Sequence, residues 1–321
     1  MTFTATSAQC VYGPVPSRRL GRSLGVDLVP FKTCTYDCVY CQLGRTTDKT
    51  VTRRRWVDPA EVVAQVRDSL QTEPDIITIA GSGEPTLHSG IGEVIAAIKG
   101  FTDTPVAVLT NGSLLGLPAV RQDLGLADIV IPSLDAPDES LFRDVNRPHP
   151  GLLFADVVNG LSAFRDGFQG QLWLEVFLLG GVTGLPVEVD RLAEIAARLS
   201  PDRIQLNTVV RPPAESFAEP LPAHRMEEFA AMFTPCAEVI APTATTVTGL
   251  AATGADVRAL VARRPCTLED IAAGLGIHRS EALKAVTALV TEGRIGSSTH
   301  GGRLFYTAAD AVVHTSTEER P

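Results

Sequence analysis

The chain has 321 residues, 45% hydrophobic and 20% charged, the balance of a soluble globular protein with room for one large domain and a smaller one. That balance excludes a mainly disordered chain, and 27 Gly with 22 Pro at no fixed period exclude collagen. The formal net charge of −9 excludes polyanion binding by bulk electrostatics, so any such site must be a local patch.

The N-terminal stretch MTFTATSAQC has neither a basic segment nor an apolar one, so no secretory signal is expected. The apolar runs 127–131 and 172–179 are too short to cross a bilayer. A cytoplasmic protein without membrane contact is the expectation. From about residue 25 to 210, short apolar runs alternate with amphipathic stretches. Strands are expected at 25–29, 75–79, 105–109, 128–131, 172–178 and 203–206. Helices are expected at 59–70, 91–99, 151–164 and 187–199, the first opened by Asp58 as N-cap and Pro59 at N1. Such alternation implies parallel strands joined by right-handed crossovers. The fold class is α/β: a partial (β/α)6 barrel with functional groups at the C-terminal strand ends, or a doubly wound sheet, which periodicity does not separate.

Residues 1–235 are read as the barrel domain and 236–255, with Ala241-Pro242-Thr243, as a linker. In residues 256–314 the pattern changes to helices at 256–264, 267–275 and 280–292. Thr267 caps the second with Asp270 at N3, and Gly276 ends it. Two short strands follow around His300-Gly301-Gly302, and 315–321 form a tail. This order resembles a winged helix-turn-helix, which would let the module contact nucleic acid through Arg279, Lys284, Arg294 and Arg303. Residues 256–314 carry a net charge of only +1, however, too little for tight DNA binding, and docking on a peptide or on its own chain is the favoured reading.

Six cysteines do not form a disulfide framework here, because three of them, Cys34, Cys38 and Cys41, fall within eight residues. Cys10, Cys236 and Cys266 are scattered and read as buried free thiols. The C-x3-C-x2-C loop can converge on one inorganic centre. Iron–sulfur cubanes normally take four Cys, so three would leave one iron open to an exogenous molecule. A structural zinc site would need a fourth ligand, for which His88 is the nearest downstream candidate.

The spacing, with Tyr40 immediately before the third cysteine, resembles the radical S-adenosylmethionine (SAM) superfamily. Gly81-Ser82-Gly83-Glu84-Pro85 follows the second strand and resembles that family's Gly-Gly-Glu-Pro segment, with Ser82 in place of the first of those glycines. The resemblance implies a [4Fe–4S] cluster on Cys34, Cys38 and Cys41, and SAM held by Gly83, Glu84 and Pro85 at its amino group. It further implies that Asn111, Ser133 and Asp135, at the ends of the next two strands, approach the ribose and carboxylate of SAM. Taken singly, these residues also read as a turn and a helix cap. The implied activity is reductive cleavage of SAM to a 5′-deoxyadenosyl radical that abstracts hydrogen from a substrate, with ferredoxin or flavodoxin as electron donor.

Residues 11–215 resemble the iron–sulfur oxidoreductase or wyosine-synthase-like subgroup, an impression strengthened by the stretches 143–149 and 205–213. That leaves open an RNA-modifying enzyme and, because of the C-terminal module, a redox-sensing DNA-binding regulator. Glu175, inside an apolar strand, is either a ligand facing the barrel interior or a group on a solvated face. The arginines of 14–22 and Arg53-Arg54-Arg55 are either an anion clamp or salt-bridged surface.

Overall fold

In the computed structural model, which describes residues 9–17, 19–240 and 253–309, Val11–Ser17 (β1) runs antiparallel to Gly21–Val26 (β2). Two short strands, Thr33–Cys34 (β3) and Asp48–Lys49 (β4), pair in parallel and clasp the base of the cysteine loop. Pro59–Ser69 (α1) then begins at Asp58, whose carboxylate accepts from the Ala60 N–H at 2.9 Å. Beyond it lie Ile76–Ile79 (β5), Ile91–Lys99 (α2), Val106–Thr110 (β6), Pro118–Leu124 (α3), Ile129–Pro132 (β7), Glu139–Val145 (α4) and Phe154–Gly167 (α5). Gln171–Phe177 (β8), Pro186–Leu199 (α6), Arg203–Asn207 (β9), Ala223–Ala230 (α7) and Glu238–Val239 (β10) complete this unit.

The eight strands lie in the order β1-β2-β5-β6-β7-β8-β9-β10, every pair after the first parallel. The order never reverses. A doubly wound sheet requires a switch point where it does, so this is the strand order of an open barrel segment, and all the parallel strands end on one side.

Alternation along the strands sorts the side chains onto two faces. Val26, Ile77, Ile79, Val108, Val130, Leu174, Val176 and Leu206 join the helices in the main core. Ile76, Ala107, Ile131 and Trp173 lie on the opposite face, packed with Leu20. Helix α6 shows why the helices cover the first face: Val189, Leu192, Ala193, Ile195, Ala196 and Leu199 recur at helical spacing and are all buried.

Two expected boundaries move for tertiary reasons. The first expected strand ends at Val26, because pairing with β5 stops at Ile79 and the Asp27 carboxylate turns to bond Ser82. The helix expected from 151 begins at Phe154, whose N–H is taken by Glu139 Oε2 at 2.8 Å.

The chain divides into two units, residues 1–241 and 242–321. The described part of the second comprises Gly254–Arg263 (α8), Leu268–Leu275 (α9), Arg279–Thr291 (α10) and the hairpin Ile295–His300 (β11) with Arg303–Ala308 (β12). Thr267 and Asp270 form a reciprocal capping box, and Gly276 closes α9 in the left-handed region at φ 63°. Gly301 and Gly302, at φ 54° and 72°, make the tight turn of the hairpin. Ala241-Pro242-Thr243, Arg18 and the tail 315–321 lie outside the described residues.

Candidate cluster site

The cysteine loop lies across the C-terminal ends of the parallel strands and is fastened to them by backbone hydrogen bonds. After β5, the Glu84 N–H donates to Thr33 O at 3.1 Å, and Ser82 O accepts from Lys32 N at 2.6 Å. After α4, Asn146 O accepts from Asp37 N at 3.0 Å and Val145 O accepts from Val39 N at 2.9 Å. Beyond β9, the Glu215 N–H donates to Val39 O at 2.9 Å. The loop is held from three sides before any side chain is counted.

Cys34, Cys38 and Cys41 are free thiols, half-buried. Burial pushes Cys34 up to about 12, with the Glu84 carboxylate adding to it. Cys38 is also driven well above the ordinary thiol range by burial and then by Asp135. Burial raises Cys41 as well, offset by the Leu43 N–H and the Lys32 ammonium. Thiolates in such a setting need a compensating cation, which a bound metal centre supplies.

A structural zinc site would need a fourth ligand, and His88, the nearest downstream candidate, is committed elsewhere: Nδ1 accepts from Gly90 N at 3.0 Å and Nε2 lies 3.0 Å from Val57 O.

The other expected residues surround the loop. A Cβ on Gly83 would come 1.8 Å from Thr33 O, so this glycine allows the turn after β5 to meet the cysteine loop. Glu84 is buried; its Oε1 accepts from Thr86 N, Thr86 Oγ1 and Thr110 Oγ1, and its Oε2 from Asn111 N at 2.7 Å. Burial raises its pKa against the pull of those donors. Pro85 opens a buried turn of 3-10 helix capped by Glu84. Ser82 uses the hydroxyl that a glycine would lack, donating it to Asp27. Asn111 Nδ2 bonds Thr35 Oγ1 at 2.7 Å and lies 3.6 Å from Cys34 Sγ. Ser133 extends β7 through its N–H to Thr110 O and bridges to Glu175. Asp135 accepts from the Tyr40 hydroxyl, from Asn146 Nδ2 at 2.9 Å and from Phe177 N at 3.1 Å. Burial raises its carboxyl to about 6. The Tyr40 ring stacks on Phe177 with centroids 3.9 Å apart.

A family model described as the Radical SAM superfamily matches residues 28–199, more than half of the chain. The chain belongs to the radical SAM superfamily. It is 34% identical over 307 residues to a "UPF0026 protein" of Helicobacter pylori, covering 93% of this chain and 97% of that one. It is 38% identical over 213 residues to a UPF0026 protein of Methanocaldococcus jannaschii, covering 65% and 66%. A protein of Brachyspira hyodysenteriae named GTPase Obg is 37% identical over 303 residues, covering 92% of this chain and 45% of that one. The chain thus spans less than two thirds of the last two relatives. It contains no Gly-Lys pair, hence no G-x-x-x-x-G-K-[ST] phosphate loop, and the GTPase name is not carried over. Among solved structures, a radical SAM methyltransferase from Sphaerobacter thermophilus aligns with a TM-score of 0.50 at 19% identity, covering 68% of this chain and 65% of that one. The hydrogenase maturase HydG from Carboxydothermus hydrogenoformans also aligns at 0.50, with 16% identity and 70% and 54% covered. At these identities the likeness is one of fold.

A [4Fe–4S] cluster and SAM are the cofactors of this radical SAM chain, and the three-thiol donor set, charge-poor until a metal is bound, fits the cluster. Two residues that sequence reasoning missed stand against it. Lys32, buried at the left-handed φ of 64°, faces the charges of Cys41, Asp37 and Cys34, while burial lowers its pKa. Asn146 reaches Cys38; only the family-like stretch 143–149 hinted at it.

The described residues left open elsewhere all meet protein partners. Glu175 is not on a solvated face: it lies on the barrel-interior side of the sheet, opposite the helices, and pairs with Arg19, their side chains 17% and 14% exposed. Arg53 bonds Thr86 O at 2.8 Å and Asp123 at 2.6 Å, Arg54 stacks on Trp56, and Arg55 pairs with Glu93. Arg19, Arg53 and Arg55 are therefore already committed to protein carboxylates. Of the scattered cysteines, Cys10 and Cys266 are buried as expected, but Cys236 is exposed, on the loop between α7 and β10. No helix among the described residues is long and apolar enough to cross a membrane.

Proposed function

We propose that this chain is a radical SAM enzyme in which Cys34, Cys38 and Cys41 hold a [4Fe–4S] cluster with one iron left for SAM, and that its activity is hydrogen abstraction from a substrate. The observation that carries this reading is the docking of a three-cysteine loop onto the Gly83-Glu84-Pro85 turn at the C-terminal strand ends. Bound together, a reduced cluster and SAM supply a carbon-centred radical.

The chain's own residues hold that chemistry in place. Gly83, Glu84 and Pro85 form the wall on which SAM's amino group would rest, with Asn111, Ser133 and Asp135 on the neighbouring strand ends. Glu84 organises this wall: its four accepted hydrogen bonds join the turn after β5 to the end of β6. The stack of Tyr40 on Phe177 gives the site an apolar boundary that excludes water. Electrons would come from a low-potential donor such as ferredoxin or flavodoxin.

The second unit reads as a winged-helix-type module that docks on protein, not DNA. Of the four cations singled out on it, three face carboxylates, Arg279 with Glu269 at 3.0 Å, Lys284 with Glu281 at 2.8 Å and Arg294 with Glu292 at 3.3 Å, and Arg303 lies over the Phe305 ring.

The test is anaerobic SAM cleavage with dithionite, comparing the native protein with a variant in which Cys34, Cys38 and Cys41 are all alanine. Formation of 5′-deoxyadenosine by the native protein alone is expected. A native preparation that binds zinc but no iron on anaerobic reconstitution would overturn the reading.

A further inference from the structure

Asn146 is the C-cap of α4 and is buried to 2% exposure. Its Nδ2 lies 3.5 Å from Cys38 Sγ and 2.9 Å from Asp135 Oδ2. A primary amide has two N–H bonds, and here one faces each acceptor. The Asp135 carboxylate fixes which end of the amide meets the sulfur, because a flipped amide would set its oxygen against both a carboxylate and a thiolate. Asp135 is itself held from two further directions, by the Tyr40 hydroxyl and the Phe177 N–H. The amide therefore has little freedom to turn away.

We propose that Asn146, oriented by Asp135, is a positioning residue that hydrogen-bonds the Cys38 thiolate and thereby raises the reduction potential of the cluster. This rests on the radical SAM reading above. A hydrogen bond to a ligating sulfur stabilises the more negative, reduced state more than the oxidised one, which is one of the levers by which proteins set these potentials. The couple takes one electron, from a ferredoxin or flavodoxin in use and from dithionite in the test.

The backbone makes the proposal separable from a purely structural role. Asp37 N and Val39 N are accepted by the carbonyls of Asn146 and Val145, so the loop on either side of Cys38 stays fastened whatever side chain occupies position 146. Asn146→Leu keeps most of the volume and removes the donor. Asn146→Ala removes it without demanding space.

The full chain and both variants are reconstituted anaerobically, their iron and sulfide measured, and the cluster titrated by electron paramagnetic resonance without SAM. Iron content equal to wild type is expected in at least one variant, with about a tenfold lower ratio of reduced to oxidised cluster at a fixed poise, equivalent to about 59 mV for one electron. An unchanged midpoint potential in an iron-replete variant overturns the inference and leaves the radical SAM reading standing. Loss of iron from both variants also overturns it, since Asn146 would then be holding the loop, not tuning the cluster. A wild-type chain that takes up no iron defeats the underlying reading instead.

Discussion

The alpha carbon of Gly83 and the carbonyl of Thr33 are in such close approach that a Cβ on Gly83 would stand 1.8 Å from the Thr33 oxygen. The same contact is stitched by the Glu84 N–H to Thr33 O. The glycine thus serves the protein's own packing, because it is the point where the cysteine loop rests on the sheet.

Gly83→Ala is accordingly expected to displace the loop, since the clashing atom is backbone with no rotamer to retreat into. The variant should fold its sheet but incorporate far less iron than wild type on anaerobic reconstitution, and melt several degrees lower. Iron analysis together with thermal unfolding checks this. Full iron content at unchanged melting temperature would contradict the close approach.

Arg19 and Glu175 meet on the sheet face away from the helices, with Gln205 Oε1 accepting from Arg19 at 3.1 Å. Truncating one partner of a largely buried pair leaves the other charge uncompensated. Glu175→Ala should therefore cost about 3 kcal/mol, the low end for buried pairs. Replacing both, as Arg19→Met with Glu175→Leu, should recover most of that loss. Urea unfolding of the single and double variants measures both quantities.

His88 is a neutral, buried imidazole whose pKa is lowered by burial from its ordinary 6.5. The unfolded chain therefore binds a proton below 6.5 that the folded chain refuses. Stability from this group is present above 6.5 and is lost as pH falls toward the folded value, with a slope of at most about 1.4 kcal/mol per pH unit. His88→Asn should flatten the acid side of the stability profile below pH 6.5. Urea unfolding at a series of pH values shows it, and an unchanged slope would assign the acid limb to other groups.

The second unit is expected to bind duplex DNA weakly and without sequence preference. Residues 256–314 carry a net charge of only +1, and Arg279, Lys284 and Arg294 each lie beside a carboxylate, so little net positive charge is available to release counterions. The dependence of log K on log salt should be shallow, with a slope magnitude below about 2, by fluorescence anisotropy across a salt series.

Much of this protein is written in short stretches of sequence. The three cysteines lie within eight residues, so their spacing is readable without any fold. Asp58-Pro59, Thr267 with Asp270, and Gly276 mark helix ends through contacts spanning only a few positions. The alternation of strands and helices implied a parallel sheet, since each strand carries its own apolar faces. The helices 118–124, 139–145 and 223–230 went unread, because each is only seven or eight residues long and its position depends on tertiary packing.

What the sequence could not carry is which distant groups meet at the strand ends. Asn146 reaches Cys38 across 108 positions, and Arg19 reaches Glu175 across 156. Asp135 was singled out as a cofactor contact, but only the fold shows it holding Tyr40 and Asn146 beside the cluster loop. The choice between a barrel segment and a doubly wound sheet has the same origin. Local patterns state that a segment is a strand, and the order in which strands lie is decided by pairing between segments far apart in the chain.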